Sequence, residues 1–219
     1  MKRALGGIAF CSLLLALIAD QWAAVSLYPQ RDSERKRFEY WQKLDDSGEV
    51  MPAKEGPWRC VVDQRTGLVW ENKNNNEGIH HGDWTYSWYD REAWGKHPSA
   101  PRYPEGSCTG LDHCNSAALV AAANRQHWCG FSDWRVPELA ELQTLLDTSY
   151  PQPGPLVCPC FLGHTARSSY WSNSTDRYRR RQGLNFQTGE VTTFPEHAAL
   201  FLRLVRGPKL TSDSGTAPE

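Results

Sequence analysis

The chain has 219 residues, enough for one domain with a sizeable core. Its 24 basic and 25 acidic side chains leave a formal charge of −1, which excludes a bulk attraction to nucleic acid and leaves only local patches to act on charged partners. Ten Trp, eight Tyr and seven Phe supply large apolar core pieces and material for an aromatic binding face.

Residues 1–26 read as a signal peptide: Lys2 and Arg3 precede a mostly apolar run from Leu5 to Ala19, and Ala24-Val25-Ser26 offers the small residues a signal peptidase prefers. The run is short for a membrane span. An uncleaved anchor is the other reading, since Gln21 and Trp22 fit an interface, and a membrane partner follows only in that case. The expected location is therefore outside the cytoplasm: periplasm, outer surface or medium.

Cleavage there removes Cys11 and leaves six cysteines, an even number that predicts three disulfides in an oxidising compartment. Fifteen pairings are formally open. Cys108 and Cys114 flank a short loop and suit a local bridge, and Cys60 with Cys129 would then tie an early sheet to the middle of the chain. Cys158-Pro-Cys160 is the remaining pair. A bridge across one proline is geometrically awkward, so strained bridge, free thiols and links to other chains all stay open. Neither His113 beside Cys114 nor His127 near Cys129 forms a zinc knuckle, and no metal or cofactor is expected.

Residues 27–39 form a charged tether. Phe38 to Leu44, the turn Asp45-Asp46-Ser47-Gly48 and Glu49 to Met51 predict a small hairpin. A second hairpin follows, Trp58 to Asp63 and Leu68 to Glu71, turning at Gln64 to Gly67 with Asp63 bonding nearby backbone. Asn72 to Gly82 is a polar loop; its His80-His81 pair points apart in most backbones and makes a poor metal site. Trp84 to Tyr89 alternates as an aromatic strand with Trp84, Tyr86 and Trp88 on one face.

Arg91 to Thr109 is a Pro/Gly-rich loop. A helix is predicted from about Ser116 to Gln126, capped by Asn115 and rich in alanine. The segment from Cys129 to Asp147 runs through Trp134 into a second helix starting near Val136, with Pro137 in its first turn. Leu139, Leu142, Leu145 and Leu146 form its apolar stripe, with Glu141, Gln143 and Thr144 away from it. Asp133 and Arg135 are expected to pair with backbone or with each other. Ser168 to Ser174, Gly183 to Phe186, Glu190-Val191 and Phe201 to Gly207 read as strands, and residues 208–219 as a disordered tail.

Several of these stretches resemble one family. CVVDQRTGLVWE, WTYSWY, GFSDWRVPELAELQTLLD, SSYWSNS and LRLVRG occur in the order and form of motifs in the bacterial domain at the C-terminus of the Legionella collagen-like adhesin. The resemblance covers residues 40–207 and implies a C-type-lectin-like fold: α+β, two helices packed on a small, mostly antiparallel sheet, tied by disulfides. No collagen-like repeat precedes it here, and oligomeric state is not legible.

No catalytic motif is present: no Gly-x-Ser-x-Gly, no phosphate-cradling loop, no His-Glu-x-x-His. Instead Arg177, Arg179, Arg180 and Arg181 cluster with Tyr178 in the connection that, in lectin-like relatives, belongs to the ligand face. Forked guanidinium donors suit sulfate, phosphate or carboxylate, and Tyr178, Tyr170 and Trp171 are expected to add stacking surfaces. The reading is an exported, non-enzymatic module for a polysaccharide or other anionic surface ligand. The alternatives are an enzyme on the related formylglycine-generating fold, whose cysteine context Cys158-Pro-Cys160 does not match, and a structural part of a cell-surface assembly.

Overall fold

The computed structural model describes residues 39–89, 106–150 and 153–210. The signal segment, nearly all of the tether, most of the Arg91–Thr109 loop and the tail beyond residue 210 lie outside the described residues.

The first predicted hairpin forms as β1 (Trp41–Leu44) and β2 (Val50–Met51). Asp45 Oδ1 accepts the Ser47 and Glu49 amides at 2.8 and 3.0 Å, and Gly48 takes the left-handed conformation the turn needs, φ 89°. The second hairpin, β3 (Cys60–Asp63) and β4 (Leu68–Glu71), turns as expected on Asp63, whose Oδ1 accepts the Arg65 amide at 3.1 Å. These four strands and β10 (Val205–Arg206) make an antiparallel sheet of order β10-β4-β3-β1-β2.

A second sheet accompanies it. β5 (Thr85–Tyr86), β6 (Ser169–Thr175), β7 (Arg181–Asn185), β8 (Val191–Phe194) and β9 (Leu200–Phe201) lie in the order β5-β9-β6-β7-β8, antiparallel except where β6 meets β9. The architecture is α+β, with two five-stranded sheets rather than the one expected. The extra sheet arises because Phe201 to Gly207, which alternates like one strand, is divided: β9 belongs to one sheet and β10 to the other. Arg203 lies on the crossing, fully buried, where continuous pairing is given up for side-chain bonds.

Helix α1 (Ser116–Arg125) forms where predicted, its Asn115 Oδ1 accepting the Ala118 amide at 2.9 Å. The second helix differs. It runs only over α2 (Leu139–Gln143), with Glu138 as N-cap, because the Pro137 carbonyl accepts the Asn173 amide of β6 at 2.7 Å and holds the chain extended. Glu141, though off the apolar stripe, is fully buried: it accepts both Arg135 guanidinium nitrogens at 2.7 Å and the Glu138 amide at 2.8 Å. Arg135 and Asp133 are therefore not partners of each other. Asp133 pairs with Arg206 at 2.7 Å.

Cys60–Cys129 and Cys108–Cys114 are bridged as expected, and Cys158 and Cys160 are joined to one another. The core has two clusters, and successive residues of β6 enter different ones. Trp171 packs with Trp88, Trp134 and Leu119, while Tyr170 packs with Trp70, Phe186 and Leu184. Each such aromatic contributes roughly 2–3 kcal/mol by leaving water. Tyr170 and Trp171, 1% and 0% exposed, thus hold the core together and offer no stacking face to a ligand, contrary to the expectation for them.

Candidate functional site

The arginine cluster sits on the tight turn between β6 and β7. Asp176 builds that turn: its Oδ1 accepts the Tyr178 and Arg180 amides at 2.9 Å each, and its Oδ2 accepts Arg180 Nε at 2.8 Å. Arg179 adopts a left-handed backbone, φ 63°. Desolvation works against the Asp176 carboxylate, but the Arg180 and Tyr178 bonds outweigh it and hold the group below its usual range.

The four arginines have different surroundings. Arg181 turns inward, 15% exposed, with its guanidinium 4.0 Å from the Trp88 ring centroid, Nη1 bonded to the Asn173 carbonyl at 2.6 Å and Nε 3.9 Å from Glu196. Arg180 is tied to Asp176 yet remains 60% exposed. Arg177 and Arg179 make no ion pair among the described residues. Tyr178, 63% exposed, carries the Arg177 and Arg180 guanidinium groups at 4.6 and 5.4 Å from its ring centroid.

A cleft of about 490 Å³ opens beside this turn, lined by Arg179, Arg180 and Arg181 together with Thr193, Phe194 and Glu196. The register that pairs Arg181 with Phe194 brings these segments side by side. Three guanidinium groups against the carboxylates of Glu196 and the turn residue Asp176 leave the cleft net positive, with Phe194 as an apolar surface. Thr193, Phe194 and Glu196 were not singled out from sequence. The signal for them was the turn at Asn185 to Gly189, which fixes the pairing of β7 with β8.

A second polar centre lies inside the protein, where the polar-loop motif meets the last strand. Glu71, fully buried, accepts Lys73 Nζ at 2.8 Å and His80 Nδ1 at 2.6 Å on one oxygen, and the Leu204 amide at 2.8 Å on the other. Arg203 donates to the Glu71 carbonyl at 2.6 Å and to Thr165 Oγ1 at 2.8 Å. Burial pushes the Glu71 carboxyl up, but the charges and hydrogen bonds of Lys73 and His80 win and bring it to about 2. His81 parts from His80: its Nδ1 accepts the Asp83 amide at 3.1 Å.

A disulfide-tied α+β domain of two sheets, braced by a buried charged centre and carrying a cationic surface cleft, is the class these features define. The chain belongs to the Lcl C-terminal domain family, whose model matches residues 59–206. The β1–β2 hairpin lies outside the matched stretch and completes the first sheet through β3. No curated protein and no solved structure matches the chain. No helix among the described residues is long and apolar enough to cross a membrane.

Proposed function

We propose that this domain is an exported, adhesin-like binding module that holds an acidic, sulfated polysaccharide or a similar polyanion in the cleft beside the Asp176–Arg181 turn. Membership of the family supports an adhesin-like surface domain, and the three disulfides fit an oxidising location. The observation that carries the reading is the cleft itself, where Arg179, Arg180 and Arg181 converge and Arg177 and Tyr178 stand exposed on its turn. Sulfate oxygens accept forked guanidinium bonds, and Phe194 can pack against a sugar face. Catalysis is not part of this reading.

Single exposed ion pairs are weak and screened by salt, so binding needs several arginines acting on a repeating polyanion. Changing Arg177, Arg179 and Arg180 to Ser is expected to weaken binding of a heparin-type polysaccharide by about 10- to 100-fold while leaving thermal stability nearly unchanged. Arg181 is left in place because its contacts with Trp88 and Asn173 are structural. Calorimetric titration of wild type and triple variant checks this. Equal affinity for the two proteins would place the ligand elsewhere.

A further inference from the structure

The buried charged centre leaves one of its members incomplete. His80 is 4% exposed, and its Nδ1 donates to Glu71 at 2.6 Å, so Nε2 on the far edge of the ring presents a lone pair. Burial, the largest influence on this imidazole, lowers its proton affinity and favours that neutral form. Nε2 is buried and has no partner at full hydrogen-bond geometry, although the Gln126 side chain interacts with the imidazole and works against the lowering. The Trp128 indole stacks on the same imidazole with centroids 3.5 Å apart, and its own Nε1–H is also buried and without a partner. An orphan acceptor and an orphan donor therefore belong to two stacked rings. Buried polar groups are seldom left in that condition, because nothing offsets their lost hydration.

Both rings line one cleft of about 330 Å³, together with Arg59, Asn74, Glu77 and Gln126. Its size is that of a small-ligand pocket. Its charge differs from that of the arginine cleft: Arg59 is already paired with Asp46 at 2.6 Å, and Glu77 makes no ion pair among the described residues. A polyanion is disfavoured there. What remains is a set of amides, an imidazole acceptor and an indole donor, the complement of a hydroxyl, which both donates and accepts.

We propose that this cleft is a second binding site, which takes one uncharged, hydroxyl-rich unit such as a sugar ring, with one hydroxyl donating to His80 Nε2 and the same or a neighbouring oxygen accepting from Trp128 Nε1. The site is separate in composition and charge from the arginine cleft and does not rest on its function. A glycan chain offering both sulfated and neutral units would have two different places to be read.

The test follows the Trp128 indole N–H resonance of the ¹⁵N-labelled protein during titration with neutral methyl hexosides in one arm and a neutral oligosaccharide in the other. A saturable shift in the millimolar range is expected, weakened about tenfold in Gln126→Ala, whose exposed side chain can be removed with an unchanged melting temperature. A shift in both arms assigns the site to a single sugar ring, and a shift with the oligosaccharide alone to a glycan chain; either supports the proposal. No saturable shift in either arm, or equal affinity in Gln126→Ala, overturns it and leaves the two orphan atoms to ordered water.

Discussion

Replacing Glu71 by Gln is expected to destabilise the domain by about 3–5 kcal/mol, a large share of the roughly 5–15 kcal/mol that holds a typical domain folded. The substitution keeps the shape and removes the charge that Lys73 and Arg203 are buried against. Two cations would then remain in the interior without a counter-ion. Urea unfolding followed by tryptophan fluorescence measures the loss, and a loss below about 1 kcal/mol would show that the centre is solvated rather than buried.

The same centre sets the response to acid. The Glu71 carboxyl lies at about 2 in the folded protein against an ordinary value of 4.5, so below 4.5 the unfolded chain binds a proton that the folded one refuses. Its contribution is fully present above 4.5 and is lost as the pH falls towards 2, amounting to roughly 3 kcal/mol at about 1.4 kcal/mol per pH unit. His80 acts in the same direction at higher pH. Burial lowers its folded value below 6.5, so the unfolded chain gains the proton first and stability begins to fall as the pH drops through 6.5. Melting temperature is thus expected to decline in two steps on acidification. Glu71→Gln should shrink the lower one, leaving the share that Asp133, Glu138 and Asp176 contribute through their own lowered carboxyls.

Removing the Cys60–Cys129 bridge is the other change with a large expected effect. It closes a loop across a sequence separation of 69 residues, for which chain-entropy arguments give about 4 kcal/mol. The bridge also has a local task. Cys129 and His127 hold left-handed backbones at φ 51° and 49°, and Gly130 follows at φ 75° against the Ser47 carbonyl, which a Cβ would meet at 2.4 Å. Cys60 stands opposite Glu71 in the β3–β4 ladder, so the bridge anchors this tight turn to β3, the strand paired with the one that carries the buried charge. The Cys60→Ala/Cys129→Ala protein should melt far below the wild type. Non-reducing peptide maps should recover Cys60 linked to Cys129, and finding both thiols freely alkylatable in the oxidised, folded protein would contradict the pairing.

Much of the fold was legible because its turns and caps are local. Asp63 to Gly67 and Asn115 each satisfy backbone groups within a few residues, so their residue types announce them. The start of α2 was not legible, since its limit is a bond from Asn173, far along the chain. Neither was the division of the last strand, because Arg203 is drawn inward by the carbonyl of Glu71, 132 residues away. In the candidate site the arginines were visible but their orientations were not: Asp176 holds one by a local turn, whereas Trp88 takes another through tertiary packing. Tyr170 and Trp171 are a different case. Adjacent residues of a strand face opposite ways, so the pair could not have formed one stacking platform, and that signal was in the sequence.

The most direct measurement of the proposed function compares one polysaccharide backbone in sulfated and desulfated forms, arrayed against the wild-type domain at low and at physiological salt. Retention of the sulfated form alone, falling steeply as salt rises because exposed guanidinium–sulfate pairs are screened over about 8–10 Å, is the predicted result. Equal retention of both forms, or retention indifferent to salt, would contradict an arginine-built polyanion site.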